Sequence, residues 1–312
     1  MVFASVGSFL GDFARELAGL FVPAALLGLL FHLATVALRA RAWIGALEAA
    51  HPELELPRRK VITACLAGNG VNQVMPAKLG EVLKLYLVHH AQPGQHYPTL
   101  LASLATLAPV DMMIGGALVL TALAAGSLGG ISFAPDAMAF LASHPLLTLF
   151  ALAVIGLGLL ALAHLHGERL ERFARDVRLG LRALGNRRRY LREVAAWQAA
   201  AWLARFAMLA AFLWAFGIPF SATIALGILA AQIAAAAIPA TVAGLGPQQA
   251  AIVAVLPAAA AVSASDATGF AVGMQILISA GALGAALLAL PSAVGHRNLR
   301  RSLAEARARQ AS

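Results

Sequence analysis

The sequence predicts an all-α polytopic membrane protein that forms a single integral membrane domain over residues 1–312. Of the 312 residues, 61% are hydrophobic and only 12% are charged, and the mean hydropathy is +0.81. This composition is typical of a chain that lies in a bilayer rather than of a soluble domain. Several apolar runs reach roughly 20 residues, the length that a helix needs to cross a bilayer.

About five runs are long enough to be full spans: 17–38, 99–125, 145–165, 194–216 and 268–290. Loops rich in arginine alternate with loops that lack it. The loop after the first span carries Arg39 and Arg41, the 166–193 loop carries nine arginines, and the 291–312 tail is also basic. The positive-inside rule places these segments in the cytoplasm and the amino terminus outside. We therefore expect a multi-pass protein of the cell (inner) membrane with a cytoplasmic carboxyl terminus.

The net charge is +9. In a chain this apolar, topology and contact with anionic lipid heads account for such a charge better than nucleic-acid binding does. We expect no nucleic-acid partner.

The segment 61–90 is apolar, but Gly, Pro, amide and charged residues interrupt it where a plain span would be continuous. Irregular backbone at membrane depth survives only where protein or a water-filled cavity surrounds it. The pattern predicts a re-entrant hairpin of two half-helices that breaks at residues 75–80.

A second apolar region, 221–262, is interrupted by Pro239, Gly244, Gly246 and Pro247. It fits either two short spans or a second re-entrant hairpin. The chain then has about five full spans and two hairpins, or six to nine spans if the hairpin segments are counted as spans. The order span, broken hairpin, span then occurs twice, in 17–125 and 194–290, around a linking span at 145–165. The single linking span inverts the second unit relative to the first. Inverted repeats of this kind are common among secondary transporters.

Both returning half-helices would begin at the breaks, near Gly80 and near Pro247. Helix starts carry free N–H groups and a partial positive charge, so two that converge favour an anionic group. Charged residues inside spans also tend to be functional. The candidate substrate-binding residues are Asn69, Asn72, Gln73, Pro76, Lys78, Gly80, Glu81, Asp111, Arg205, Gly244, Gly246, Gln248 and Gln249.

Structural roles compete with binding roles at several of these positions. Glu81 fits a helix-start acid paired with Lys78 or Lys84, and Asp111 and Arg205 fit an ion pair with each other. His32 fits a hydrogen-bonded packing residue within the first span.

Signatures of ATP hydrolysis, zinc proteolysis and serine hydrolysis are missing. The histidines near the membrane edge have no nearby acid that would suggest a metal site. We expect a transporter-like protein that is not an enzyme and uses no cofactor or metal ion. An intramembrane enzyme using Glu81 or Asp111 has no recognised catalytic spacing behind it.

The segment NQVMPAKLGE (72–81) resembles the N-x-x-x-P-x-[RK]-x-G-E signature of the lysylphosphatidylglycerol synthase transmembrane-region family, the flippase-like domain membrane proteins. The upstream RAW (41–43) is similar to its R-x-W turn, and the stretch from Pro239 to Gln249 to its P…G-G-x-G-x-x-E element. Gln249 stands where that element has Glu. The likeness covers about residues 15–295.

The resemblance implies a flippase-like lipid transporter that moves a phosphate-bearing, aminoacylated or glyco-lipid between leaflets, with the headgroup between the two breaks. The expected partner is a membrane lipid: an anionic or aminoacylated phospholipid, a glycolipid or an isoprenoid lipid. The alternative is a non-transporting membrane subunit that positions a lipid- or envelope-polymer-modifying enzyme through the 166–193 loop.

Overall fold

The structure is a computed structural model that describes residues 19–75, 78–92, 94–126, 167–236, 246–260 and 262–294. Every regular element in these segments is helical. The first five helices are α1 (Val22–Ala50), α2 (Arg58–Val74), α3 (Leu79–Ala91), α4 (Tyr97–Ala105) and α5 (Ala108–Ala124). The others are α6 (Gly167–Gly180), α7 (Arg187–Ala215), α8 (Ala222–Ala236), α9 (Pro247–Ala260) and α10 (Ala264–Val294).

Four helical segments are long and apolar enough to cross a bilayer: α1, α4 with α5, α7 and α10. They correspond to four of the predicted spans, and the chain is a multi-pass, all-α membrane protein as predicted. The predicted linking span at 145–165 lies outside the described residues, as does the 291–312 tail beyond Val294.

The first helix is longer than the sequence predicted. The 17–38 span was expected to give way to a loop at Arg39, but α1 continues to Ala50 and holds Arg39 and Arg41 within it. Residues 39–50 are mostly good helix formers such as Ala, Arg, Leu and Glu, and no proline occurs between Arg39 and Pro52. The cationic residues therefore do not mark the end of this helix.

The helix break predicted at residues 75–80 is present. α2 ends at Val74, Met75 is extended, Lys78 takes a left-handed conformation with φ 54°, and α3 begins at Leu79. α2 and α3 are 17 and 13 residues long, too short for spans of roughly 20 residues.

Two glycines bring α2 and α3 together as an antiparallel hairpin. A Cβ on Gly68 would lie 2.5 Å from the Gly80 carbonyl oxygen, so the two backbones nearly touch. The nearest side-chain carbon is that of Lys84, one turn further along α3. The chain thus reverses direction between Val74 and Leu79.

In the second interrupted region, the described residues contain α8 over 15 residues and α9 over 14. Pro247 is the first residue of α9, as predicted, and proline suits that position because its missing N–H has no partner there anyway. The predicted breaks at Pro239 and Gly244 lie outside the described residues.

The two larger apolar cores of the described residues stabilise the fold. The first contains the second half of α1 together with α2, α3 and α4, around Trp43 and Leu47. The second joins α7, α8, α9 and α10, around Phe212 and Phe270. α1, α7 and α10 contribute to both cores, and between the cores they line a polar cavity.

Candidate functional site

A cavity of about 650 Å³ lies between the two apolar cores. Helices α1, α2, α5, α7, α8, α9 and α10 all contribute to its wall. Its polar and aromatic lining consists of His32, Thr35, Arg39, Asn69, Gln73, Lys78, Asp111, Trp202, Arg205, Gln232, Gln248 and Gln275. Polar groups inside an apolar helical protein are costly unless they are hydrogen-bonded or reach water, so such a concentration marks a solvent- or ligand-filled space.

Asp111 on α5 is the centre of a polar cluster in the cavity wall. Its carboxylate accepts two hydrogen bonds from Arg39, at 3.2 and 2.9 Å. Its Oδ1 also accepts from Gln198 Nε2 at 2.8 Å and from Trp202 Nε1 at 2.9 Å. The predicted pairing of Asp111 with Arg205 is wrong, because the continuation of α1 brings Arg39 to this carboxylate instead.

Arg205 on α7 has a different environment. It donates to Gln232 Oε1 at 3.1 Å, and its guanidinium lies 5.2 Å from the centre of the Trp202 ring. Neither Arg205 nor Lys78 forms an ion pair with any acidic residue in the described part of the chain. Both cations line the cavity and both are available to an anion.

Hydrogen bonds between polar groups connect α2 and α3 next to the helix break. Asn72 Oδ1 accepts from the Gly80 backbone N–H at 2.8 Å, and Asn72 Nδ2 donates to Glu81 Oε1 at 3.4 Å. Glu81 pairs with Lys84, which is one of the two partners that the sequence left open. Asn72, Gly80 and Glu81 therefore hold the break in shape, beside the cavity rather than in its lining.

A chain of amide groups connects the two halves of the protein. Gln275 Nε2 on α10 donates to Gln73 Oε1 on α2 at 3.1 Å, and Gln249 Nε2 on α9 donates to Gln275 Oε1 at 3.4 Å. Gln249 Oε1 accepts from the Gly246 N–H at 2.8 Å, at the start of α9. Gln249, which stands at the motif's Glu position, thus caps the start of α9 and bonds to Gln275 on α10.

Among the predicted site residues, the structure brings six to the cavity: Asn69, Gln73, Lys78, Asp111, Arg205 and Gln248. Gly246 and Gln249 join through the amide chain. Pro76 and Gly244 lie outside the described residues.

Sequence reasoning missed Arg39, Thr35, Gln232 and Gln275 as lining residues. It assigned His32 only to packing, although His32 both bonds to Asn69 at 3.1 Å and lines the cavity. The two glutamines could have been found as amides within apolar runs, since polar side chains in spans face the protein interior.

The starts of two helices also border the cavity. Lys78 immediately precedes α3, and Gln248 is in the first turn of α9; both side chains line the space. Residues at the starts of α3 and α9 thus line the same cavity. With its cations, helix starts and amides, the arrangement can bind an anionic group and hydrogen-bond its substituents.

Fold and cavity together define a multi-pass helical membrane protein whose polar site lies between two apolar cores. The chain belongs to the lysylphosphatidylglycerol synthase TM region family, whose model matches residues 1–286. Membership makes it a lipid-related membrane protein of the flippase-like kind. Comparisons with curated proteins and with solved structures give no significant match.

Proposed function

We propose that this protein is a flippase-like lipid transporter that moves a phosphate-bearing, aminoacylated or glyco-lipid between the two leaflets. The single observation that carries the proposal is the 650 Å³ cavity, in which polar residues from both halves meet inside an otherwise apolar protein. The headgroup would occupy this cavity while the acyl or isoprenoid tails stay in the surrounding lipid. The protein would work without catalysing a reaction.

The proposal includes a specific topology. α2 and α3 are each too short to span, and α8 and α9 have 15 and 14 residues in the described part of the chain, which supports two re-entrant hairpins that enter from opposite faces. Residues 17–125 and 194–290 would then form inverted repeats around the 145–165 span. The amino terminus would lie outside the inner membrane and the carboxyl terminus in the cytoplasm.

Lys78 provides a sharp test of transport, because its charge and its backbone can be varied separately. Its φ of 54° is left-handed, a conformation that Asn tolerates better than most residues. Lys78→Asn therefore removes the charge and keeps the turn, whereas Lys78→Arg keeps the charge. We expect Lys78→Asn to slow lipid movement at least tenfold and Lys78→Arg to stay within about threefold of the natural protein, consistent with one lost charge contact of about 1.4 kcal/mol or more.

The measurement uses liposomes that contain purified protein and phosphatidylglycerol with a fluorescent acyl chain. Dithionite destroys the label on the outer leaflet, so the later loss of fluorescence reports movement from the inner leaflet. Vesicles with the natural protein that lose fluorescence no faster than empty vesicles, for anionic, aminoacylated and glycosylated lipids alike, would refute the transport proposal.

A second candidate is the membrane subunit that positions a lipid-modifying enzyme. It is supported by α6, on which Arg175 and Arg178 are exposed. Replacing both with Gln separates the two functions. If the protein is a transporter, the variant should keep its rate of lipid movement in purified vesicles. If it is a positioning subunit, the variant should no longer bind the enzyme in membranes, and neither protein should move lipid in vesicles.

A further inference from the structure

The charges that line the cavity do not balance. Four charged side chains face it: the cations Arg39, Lys78 and Arg205, and the single carboxylate of Asp111. Asp111 already accepts both Arg39 nitrogens and two further hydrogen bonds, so it has little capacity left for a ligand. The cavity therefore holds two positive charges with no acidic partner in the described part of the chain.

The uncharged lining has its own chemical character. Gln248 has no hydrogen-bond partner in the described residues, and the Nε2 groups of Gln73 and Gln232 donate to none there. Amide groups both donate and accept, which is the combination that hydroxyl groups need. In the described part of the chain, the lining thus offers unbonded amide N–H groups beside two cations that have no acidic partner.

We infer that, given the proposed transport function, the cavity selects a phosphodiester lipid whose headgroup is hydroxylated and otherwise uncharged. Lys78 and Arg205 would hold the phosphate, and the amides of Gln73, Gln232 and Gln248 would bind the hydroxyls. An aminoacylated headgroup brings an ammonium group into a cavity with excess positive charge, where the like charges repel. The cavity volume of about 650 Å³ suits a lipid headgroup, because small-ligand sites generally measure about 300–1,000 Å³.

A binding experiment tests this selection separately from transport. The protein in detergent is titrated calorimetrically with three dihexanoyl lipids: phosphatidylglycerol, phosphatidylcholine and lysyl-phosphatidylglycerol. We expect phosphatidylglycerol to bind at least tenfold more tightly than the other two. Arg205→Gln and Lys78→Asn should each weaken its binding at least tenfold, whereas Arg58→Gln, at an exposed arginine away from the cavity, should change it less than twofold.

Lysyl-phosphatidylglycerol that binds as tightly as phosphatidylglycerol, or more tightly, would overturn the selection and leave transport standing. The expected preference in a protein that moves no lipid in vesicles would support the site and refute transport. Displacement of the lipid by equimolar glycerol 3-phosphate would show that the site recognises a soluble phosphate ester instead. Should Arg205→Gln elute as an aggregate, Lys78→Asn decides the result, because that substitution preserves the turn.

Discussion

Asp111→Asn should destabilise the protein by about 2–4 kcal/mol, the largest loss that we expect from any single cavity residue. Removing one partner of a buried ion pair costs about 3–5 kcal/mol because the other charge stays buried without compensation. The side chains of Arg39 and Asp111 are 43% and 28% exposed, so solvent screening reduces that cost. The substitution also weakens the acceptor shared by Gln198 and Trp202.

The measurement is unfolding in mixed micelles with increasing dodecyl sulfate, followed by tryptophan fluorescence. A double-mutant cycle with Arg39→Gln isolates the pair, and we expect a coupling energy of about 1–3 kcal/mol. The matched control is the exposed pair of Arg58 and Glu48, 2.8 Å apart, where the coupling should be at most about 1 kcal/mol. Equal coupling in both cycles would mean that the cavity gives Asp111 no special environment.

Gly80→Ala should cost about 2–3 kcal/mol, the second large effect. The new methyl group would overlap the Gly68 carbonyl oxygen and lie 2.5 Å from Asn72 Oδ1. The backbone oxygen cannot move aside like a flexible side chain, so α2 and α3 would have to separate. Overpacking of this kind typically costs 1–3 kcal/mol, and separation would also break the hydrogen bond from Gly80 to Asn72.

The control for this prediction is Gly284→Ala in α10, where an added Cβ meets no atom within 4 Å. Alanine favours a helix over glycine by up to about 1 kcal/mol, so this variant should be as stable as the natural protein or more stable. Thermal unfolding in detergent compares the two variants directly. A Gly80→Ala protein that melts with the natural one would contradict the close approach of α2 and α3.

Local signals in the sequence were sufficient to predict the helix break at residues 75–80 and the helix start at Pro247. The apolar run before Pro76 is too short to span, and Pro247 suits a helix start wherever it occurs. The partner of Asp111 depends on packing instead. Arg39 is 72 positions away and, as a cation after an apolar run, fitted a loop equally well. Its place in the site follows from the continuation of α1, which the charge pattern does not encode.

The cavity's amides illustrate the same limit of local reasoning. Gln73 was predicted because it adjoins a break, whereas Gln275 lies in an uninterrupted apolar helix and was not singled out. Yet the two side chains bond directly across 202 positions of sequence. The role of a residue beside a helix break can be predicted from the local sequence. The role of a residue on a regular helix depends on its neighbours in the folded protein.

The contribution of α1, α7 and α10 to both cores has a consequence for how the halves of the chain depend on each other. Val194 and Ala293 complete the core built mainly by the first half, and Leu29 and Phe31 pack against the core built by the second. Neither half can therefore reach its mature packing when synthesised alone. If the polypeptide were cut between α5 and α6, the fragments would have to find each other in the membrane before either became fully ordered.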